Sequence, residues 1–155
     1  MDNVLSKDQE PNLSIFHSNI RSVNKNFDNY LEVFRKCDKL PDIMAISETK
    51  WSDKSVESEL IGYKFESVNS PTQAGGVALY VSNSFDYHIR EDLNLGVNNC
   101  EDLWIEIEFN SQENKRKRNI IVAVIYRHPG PHYKQFSDAL NKNFSLFSKQ
   151  KIKLL

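Results

Sequence analysis

The sequence has few of the features that mark secreted and membrane proteins. Its 155 residues include only two cysteines, Cys37 and Cys100, and their separation matches no metal-binding motif, so we expect two free, partly buried thiols in a reducing compartment. No apolar run approaches the ~18 residues of a membrane span. The polar residues 1–12 lack the apolar core of a signal peptide and predict a flexible lead. These absences predict an intracellular protein, nuclear or cytoplasmic, with no membrane partner.

An excess of one charge is also lacking. Twenty basic and 21 acidic residues give a net charge of -1, and the pI is about 6.4. A dedicated non-specific nucleic-acid binder is usually more basic, so any contact with nucleic acid must come from a local patch. What the chain does have is 39% hydrophobic and 11% aromatic residues, which suffice for a packed core. We therefore predict one domain over residues 13–155.

Strand and helix patterns alternate in the first third of the chain. Residues 13–19 (LSIFHSN) predict a strand, and apolar positions at helical spacing predict a helix through residues 27–37. Pro41 is expected to stop this helix, and the mostly apolar residues 42–47 (DIMAIS) predict a second strand. A strand, a helix and a strand in this order form a βαβ-like unit.

The second half of the chain predicts a hairpin and a further helix. Residues 103–109 (LWIEIEF) alternate in polarity, as in a half-buried antiparallel strand, and residues 119–126 (NIIVAVIY) are continuously apolar, as in a central strand buried on both faces. The polar residues between them predict a long hairpin loop. A last helix is predicted around Phe136–Phe147, and residues 151–155 resemble the start of a strand.

Polar side chains follow three of these strands at their carboxyl ends. They are Asn19 with Arg21, Glu48 with Lys50, and Tyr126 with Arg127. A carboxylate can bind Mg²⁺, which polarises a phosphoryl oxygen, while amide, phenol and guanidinium groups can donate to phosphate oxygens. The set therefore suits a phosphodiester substrate if the strand ends meet. A solvated loop acid remains the simpler alternative for any single carboxylate at a strand end.

Four motifs in these segments together resemble a known superfamily. They are HSNIRSV (residues 17–23), DIMAISETKW (42–51), GGVALYVS (75–82) and VIYRHPG (124–130). In this order they resemble the endonuclease/exonuclease/phosphatase superfamily, and within it the apurinic-type endonuclease domain of non-LTR, LINE-like retrotransposons. The resemblance covers residues 13–155. It implies an α/β (α+β) fold, the DNase-I-like four-layer α/β/β/α sandwich, with only its N-terminal part in this chain.

The resemblance also implies a function and roles for single residues. It implies a metal-dependent endonuclease that nicks DNA, and in a mobile element that nick would prime reverse transcription. Glu48 resembles the Mg²⁺ (or Mn²⁺) ligand, Asn19 the residue near metal and phosphate, and Tyr126 the active-site tyrosine. The residues expected to bind the substrate are the neighbouring Arg21, Lys50 and Arg127.

Two motifs of that superfamily are missing from the sequence. Neither a GDFN-like motif nor an SDH-like motif is present, and none of the four histidines lies in an SDH context. The alternative function is therefore a catalytically inactive, truncated copy that is at most a binding or interaction fragment. A third interpretation keeps the fold and changes the substrate to a lipid or inositol phosphate. A partial sandwich is also expected to self-associate through an exposed sheet face.

Three further features each have a structural and a functional interpretation. The basic residues 115–118 match a nucleic-acid patch, but a solvated loop is favoured. The Gly75-Gly76 pair lacks phosphate-loop spacing and predicts a turn at the start of a strand. Trp51 and Trp104 can stack on bases, but for both we favour a structural role.

Overall fold

Two α-helices, one short 3-10 helix (Glu91–Leu93) and two β-sheets make up the part of the chain that the computed structural model describes. That part comprises residues 13–51, 60–72, 74–109, 118–130, 133–150 and 153–154. The eight described strands form two sheets of four strands each. The sheets face each other and one helix packs on the outer side of each sheet, so the layers run α/β/β/α.

The first sheet is built on the predicted strand–helix–strand unit. Its strands are β1 (Ile15–Asn19), β2 (Ile43–Ser47), β3 (Tyr63–Val68) and β4 (Val77–Ser82), and helix α1 (Val23–Phe34) joins β1 to β2. The strand order is β1-β2-β4-β3, with β1 and β2 parallel and β4 antiparallel to both of its neighbours. The βαβ-like unit is confirmed, and β3 is a strand that the sequence patterns did not predict.

Helix α1 differs from its predicted span at both ends. It begins at Val23 rather than at Phe27, because the buried Val23 continues the apolar face toward the N-terminus. It ends at Phe34, so Pro41 follows well after the helix and is not what stops it. Cys37 consequently lies beyond the helix and is exposed, which corrects the expectation of a partly buried thiol.

The second sheet contains both ten-residue strands. Its strands are β5 (Tyr87–Ile89), β6 (Cys100–Phe109), β7 (Arg118–Arg127) and β8 (Lys153–Leu154), and helix α2 (Tyr133–Gln150) lies between β7 and β8 in the chain. The strand order is β5-β6-β7-β8, with β6 antiparallel and β8 parallel to β7. The β6–β7 pairing, the central place of β7, the last helix and the final strand are confirmed.

Apolar residues hold the four layers together. Ile43, Leu79 and Ile105 are fully buried between the sheets. Phe34 of α1 packs on the outer face of the first sheet, and Phe147 of α2 packs on the outer face of the second. Each fully buried side chain of this kind contributes about 1.5–3 kcal/mol, so the strands form a stiff frame for the residues at their ends.

Strand β6 is buried on both faces, which corrects the prediction of a half-buried strand. Ile105 faces the other sheet, as predicted. On the opposite face, Trp104 packs against Phe147 of α2, and the buried Glu106 pairs with Arg90. The alternation correctly separates the two faces, but helix α2, which begins 24 residues after β6 ends, covers part of the polar face.

Cys100 and the two tryptophans are buried or partly buried within the fold. Cys100 is free and half-buried, as expected, and its burial raises the pKa of the thiol to about 11. Trp51 is 9% exposed and its ring lies 5.3 Å from that of Phe65. Trp104 is buried as well, so both indoles favour the structural interpretation over base stacking.

Some expectations concern parts of the chain that the structure leaves undescribed. The lead predicted for residues 1–12 lies outside the described residues, as do residues 115–117 of the basic stretch. No described helix is long and apolar enough to cross a membrane.

Candidate active site

The parallel pairing of β1 and β2 places Asn19 beside Glu48. Asn19 is the last residue of β1 and lies opposite Ser47, the last residue of β2. Glu48 follows with a φ of 52°, in the left-handed region that a non-glycine residue adopts at a cost of roughly 1–3 kcal/mol. Two backbone bonds hold this turn: the Thr49 and Lys50 N–H groups donate to the carbonyls of Gly76 and Gly75, at 3.2 and 2.8 Å.

Tyr126 reaches the same point from the opposite sheet. It is the penultimate residue of β7, and its hydroxyl donates to Oε1 of Glu48 at 3.1 Å. Asn19 Nδ2 donates to the same oxygen at 2.7 Å. The three predicted catalytic residues therefore meet, although β7 faces β1 and β2 across the sandwich and does not neighbour them in one sheet. We call this group the Asn19–Glu48–Tyr126 triad.

Hydrogen bonds and nearby charges keep Glu48 ionised. The bond from Asn19 lowers the pKa of the Glu48 carboxyl most; partial burial opposes this, and the bond from Tyr126 and the charges of Lys50 and Arg21 add to it. The pKa of Tyr126 is raised, first by burial and then by its bond to Glu48. At neutral pH the triad therefore presents a carboxylate and a protonated phenol, which is a hydrogen-bond donor and not a base.

The three predicted substrate-binding cations differ in their placement. Arg21 and Lys50 are both exposed, both have a positive φ (56° and 49°), and both act electrostatically on Glu48. Arg127 is exposed too, but it lies opposite Cys100 in the β6–β7 ladder, where burial raises the pKa of the thiol and the Arg127 charge only partly opposes that rise. Because alternate residues of β7 point to opposite faces, Arg127 belongs to the side away from Tyr126.

A second polar pair lies beside the triad, and sequence reasoning missed it. Glu101 is 5% exposed and lies opposite Tyr126 in the β6–β7 ladder. Its carboxylate is 2.9 Å from Nε2 of His128, whose ring meets the Tyr126 ring edge-on at 4.9 Å. In sequence, Glu101 is one of four acidic residues of β6. Only the pairing register of β6 with β7 distinguishes Glu101 from the other three, and the long hairpin loop makes that register impossible to predict from the sequence.

The donor set of the triad fits a hard cation held by a single carboxylate. Among the described residues, no three His, Cys, Asp or Glu side chains form a group that would hold a metal ion. Mg²⁺, however, often takes only one or two carboxylates from a protein and fills its remaining positions with water and substrate phosphate. Both hydrogen bonds within the triad go to Oε1 of Glu48, and neither of them involves Oε2.

Comparisons with known proteins agree on the fold. No protein-family model and no curated protein matches the sequence. Among solved structures, the human Nocturnin catalytic domain with bound sulfate has a TM-score of 0.57 at 16% identity, covering 92% of this chain and 61% of that one. AP endonuclease LMAP from Leishmania major has a TM-score of 0.57 at 14% identity, covering 82% of this chain and 44% of that one.

These similarities define the class of fold. Both neighbours have the DNase-I-like fold of the endonuclease/exonuclease/phosphatase superfamily, so the predicted α/β/β/α sandwich of that type is confirmed. The chain spans less than two thirds of the length of either neighbour. At this identity the likeness concerns the fold, and a function must be argued from the site.

Proposed function

We propose that the chain is part of a Mg²⁺-dependent phosphodiester hydrolase that nicks DNA. The observation that carries the proposal is the convergence of Asn19 and Tyr126, from two different sheets, on one oxygen of Glu48. A carboxylate that only faces solvent needs neither the left-handed backbone of Glu48 nor two fixed donors. Backbone conformations that cost free energy in this way are typical of functional sites.

Each residue of the site has a role in this proposal. Glu48 would hold the metal, which when bound supplies Lewis-acid polarisation of a phosphoryl oxygen. Tyr126 keeps its proton, which it donates to Glu48 here; with substrate bound, the hydroxyl would turn and donate it to a non-bridging phosphate oxygen instead. Asn19 orients the carboxylate, and its own Oδ1 is fixed by the backbone N–H of Arg21 at 3.1 Å. The exposed Arg21 and Lys50 provide positive charge for the DNA backbone.

The choice of DNA and the biological setting have separate support. One structural neighbour is an AP endonuclease, and the four sequence motifs resemble retrotransposon endonucleases. We therefore propose DNA as the partner, and a nick that primes reverse transcription as the biological role. The second part rests on the motifs alone.

Nicking of supercoiled plasmid by the purified chain tests the proposal. We expect Mg²⁺-dependent nicking that Glu48→Gln reduces by at least the roughly 10²-fold typical of a lost catalytic group. Glu32→Gln is the matched control, because Glu32 lies on α1, is exposed and pairs only locally with Arg35. Nicking that survives Glu48→Gln unchanged would contradict the proposal.

A second candidate is a fragment that binds DNA without cleaving it. The observation in its favour is that Glu48 is the only carboxylate in the triad, while the superfamily resemblance implies further groups that are absent from the sequence. Folded protein that binds a DNA duplex in a fluorescence-anisotropy titration but nicks no plasmid would support this candidate over the first.

A further inference from the structure

Glu101 is a buried carboxylate that lies opposite Tyr126 of the triad in the β6–β7 ladder. Burial of an ionised carboxylate is costly unless hydrogen bonds compensate for lost water. Here Ser70 Oγ donates to Oε1 at 2.8 Å, the Gly76 N–H approaches Oε2 at 3.4 Å, and His128 Nε2 lies within 3.0 Å of both oxygens. Glu101 belongs to the second sheet, whereas Ser70 and Gly76 lie in the connection between β3 and β4 of the first, so the carboxylate links the second sheet to a loop of the first.

One arm of this network leads to Glu48. The N–H of Gly76 points to Glu101, while the carbonyls of Gly75 and Gly76 accept the bonds that hold Lys50 and Thr49. The Gly75-Gly76 segment thus lies between the buried carboxylate and the strained turn of Glu48. The approach is close: a Cβ on Gly75 would lie 2.5 Å from Glu101 Oε2 and from His128 Nε2, so the ends of these side chains would have to shift.

The other arm leads to Tyr126. His128 is anchored by Glu101 on one side and by its backbone N–H, which donates to the Asn99 carbonyl at 2.9 Å. Its ring then meets the Tyr126 ring edge-on, with 4.9 Å between centroids. The His128 ring therefore packs against one side of the Tyr126 ring, whose hydroxyl donates to Glu48.

We propose that Glu101 and His128 are positioning residues. They fix the turn of Glu48 and the ring of Tyr126 relative to each other, although the two belong to different sheets. Neither residue belongs to the triad, and each acts through another residue. The catalytic consequence of this role rests on the proposed function, but the mechanical coupling does not. The coupling predicts that disturbing Glu101, on β6, loosens a turn in the opposite sheet.

Amide hydrogen exchange on the full 155-residue chain measures that coupling directly. We expect Glu101→Gln and Gly75→Ala each to accelerate exchange at Thr49 and Lys50 by about ten-fold or more, the scale of one lost hydrogen bond to a charged group. The amides of Ile105 and Ile107, at the centre of β6, report opening of the core and should change much less. Gly75→Ala retains the Glu101 and His128 side chains but places a Cβ against their ends, so it displaces them from the Gly75-Gly76 segment.

Glu106→Gln is the matched control. Glu106 lies on the same strand, is equally buried and also pairs with a basic side chain, that of Arg90, but it faces α2 and not the site. This variant should leave exchange at Thr49 and Lys50 at the wild-type rate. If Glu101→Gln fails to fold, Ser70→Ala removes a single neutral donor and should accelerate the same two amides to a smaller extent.

The outcomes separate this proposal from the proposed function. Unchanged exchange at Thr49 and Lys50 in Glu101→Gln, Gly75→Ala and Ser70→Ala, or equal acceleration in Glu106→Gln, would overturn the positioning role, even if nicking depends on Glu48. If these variants accelerate exchange at Thr49 and Lys50 while Glu48→Gln leaves nicking unchanged, the positioning role is supported and the proposed function is overturned. Where both hold, Glu101→Gln should lower kcat for nicking more than it changes KM.

Discussion

At the scale of single residues, Glu48 is defined by what donates to it. Asn19 and Tyr126 share one oxygen, and the charges of Arg21 and Lys50 act in the same direction as their bonds. The carboxyl is therefore ionised over the whole neutral range and becomes protonated only when the pH falls below its ordinary titration range. Activity that needs this carboxylate should be constant on the acid side of neutrality and decline only in strong acid.

The relative effect of the two donors, Asn19 and Tyr126, on the pKa of Glu48 can be tested. Asn19→Ala should raise the pKa of Glu48 more than Tyr126→Phe does, because the bond from Asn19 lowers that pKa most. Titration of the Glu48 side-chain carboxyl by ¹³C NMR measures both shifts. Tyr133→Phe, at a tyrosine that is 68% exposed, is the control and should leave the titration unchanged. The assignment of donors would fail if Tyr126→Phe gave the larger rise, or if neither variant moved the titration.

At the scale of elements, the parallel β1–β2 pair positions two of the three triad residues, Asn19 and Glu48, and Asp42 holds the opposite end of the pair. Asp42 Oδ2 accepts bonds from Ser14 Oγ at 2.6 Å and from the Ser14 N–H at 2.8 Å, and Ser14 Oγ accepts the N–H of Asp42. Burial raises the pKa of Asp42, but the bonds from Ser14 and the charge of Lys39 outweigh it, and the net pKa is lowered.

Removal of the Ser14 hydroxyl should therefore weaken the pair in a pH-dependent way. Ser14→Ala should reduce the free energy of unfolding by about 1–2 kcal/mol at pH 7, because a buried carboxylate loses a donor. A lowered carboxyl pKa stabilises the fold above the unfolded-state value and loses that contribution as the pH falls through the folded value. The difference between variant and wild type should shrink below about pH 4.

Urea unfolding at a series of pH values measures this difference. Ser84→Ala, at an exposed serine in the turn after β4, should stay within about 0.5 kcal/mol of wild type at every pH. A Ser14→Ala effect that grows toward acid pH would show that the Ser14 bonds favour the protonated form of Asp42.

At the scale of the whole molecule, β1 is an edge strand whose inward face is open. Ile15 is 42% exposed, while its partner Ile43 on β2 is completely buried between the sheets. An exposed edge with an apolar residue on the core side is a typical site of association. We therefore predict that the purified chain self-associates and that Ile15→Asp weakens the association.

Sedimentation velocity over a range of concentrations tests this prediction. Val33→Asp is the control, since Val33 is similarly exposed (56%) but lies on the outer side of α1. A wild-type chain that stays monomeric at every concentration and melts cooperatively would contradict the prediction.

Local patterns in the sequence were sufficient to identify most elements and the three residues of the triad. Periodicity reflects which side of a helix or strand is apolar, and a polar residue directly after an apolar strand is visible without any contact. The βαβ unit, the β6–β7 hairpin and the order of Asn19, Glu48 and Tyr126 along the chain follow from such local signals. Strand β5 has only three residues, too few for a periodic signal, and β3 (YKFESV) alternates only over its first four residues; neither was predicted.

Contacts between distant segments decided the rest. The sequence alone determined that a carboxylate, an amide and a phenol stand at strand ends. Only the tertiary structure determined that they meet across two sheets, that α2 covers the polar side of β6 at Trp104, and that Glu101 and His128 lie behind Tyr126. Strand register and the packing of sheets depend on residues far apart in the chain, and no local pattern encodes which of them will come together.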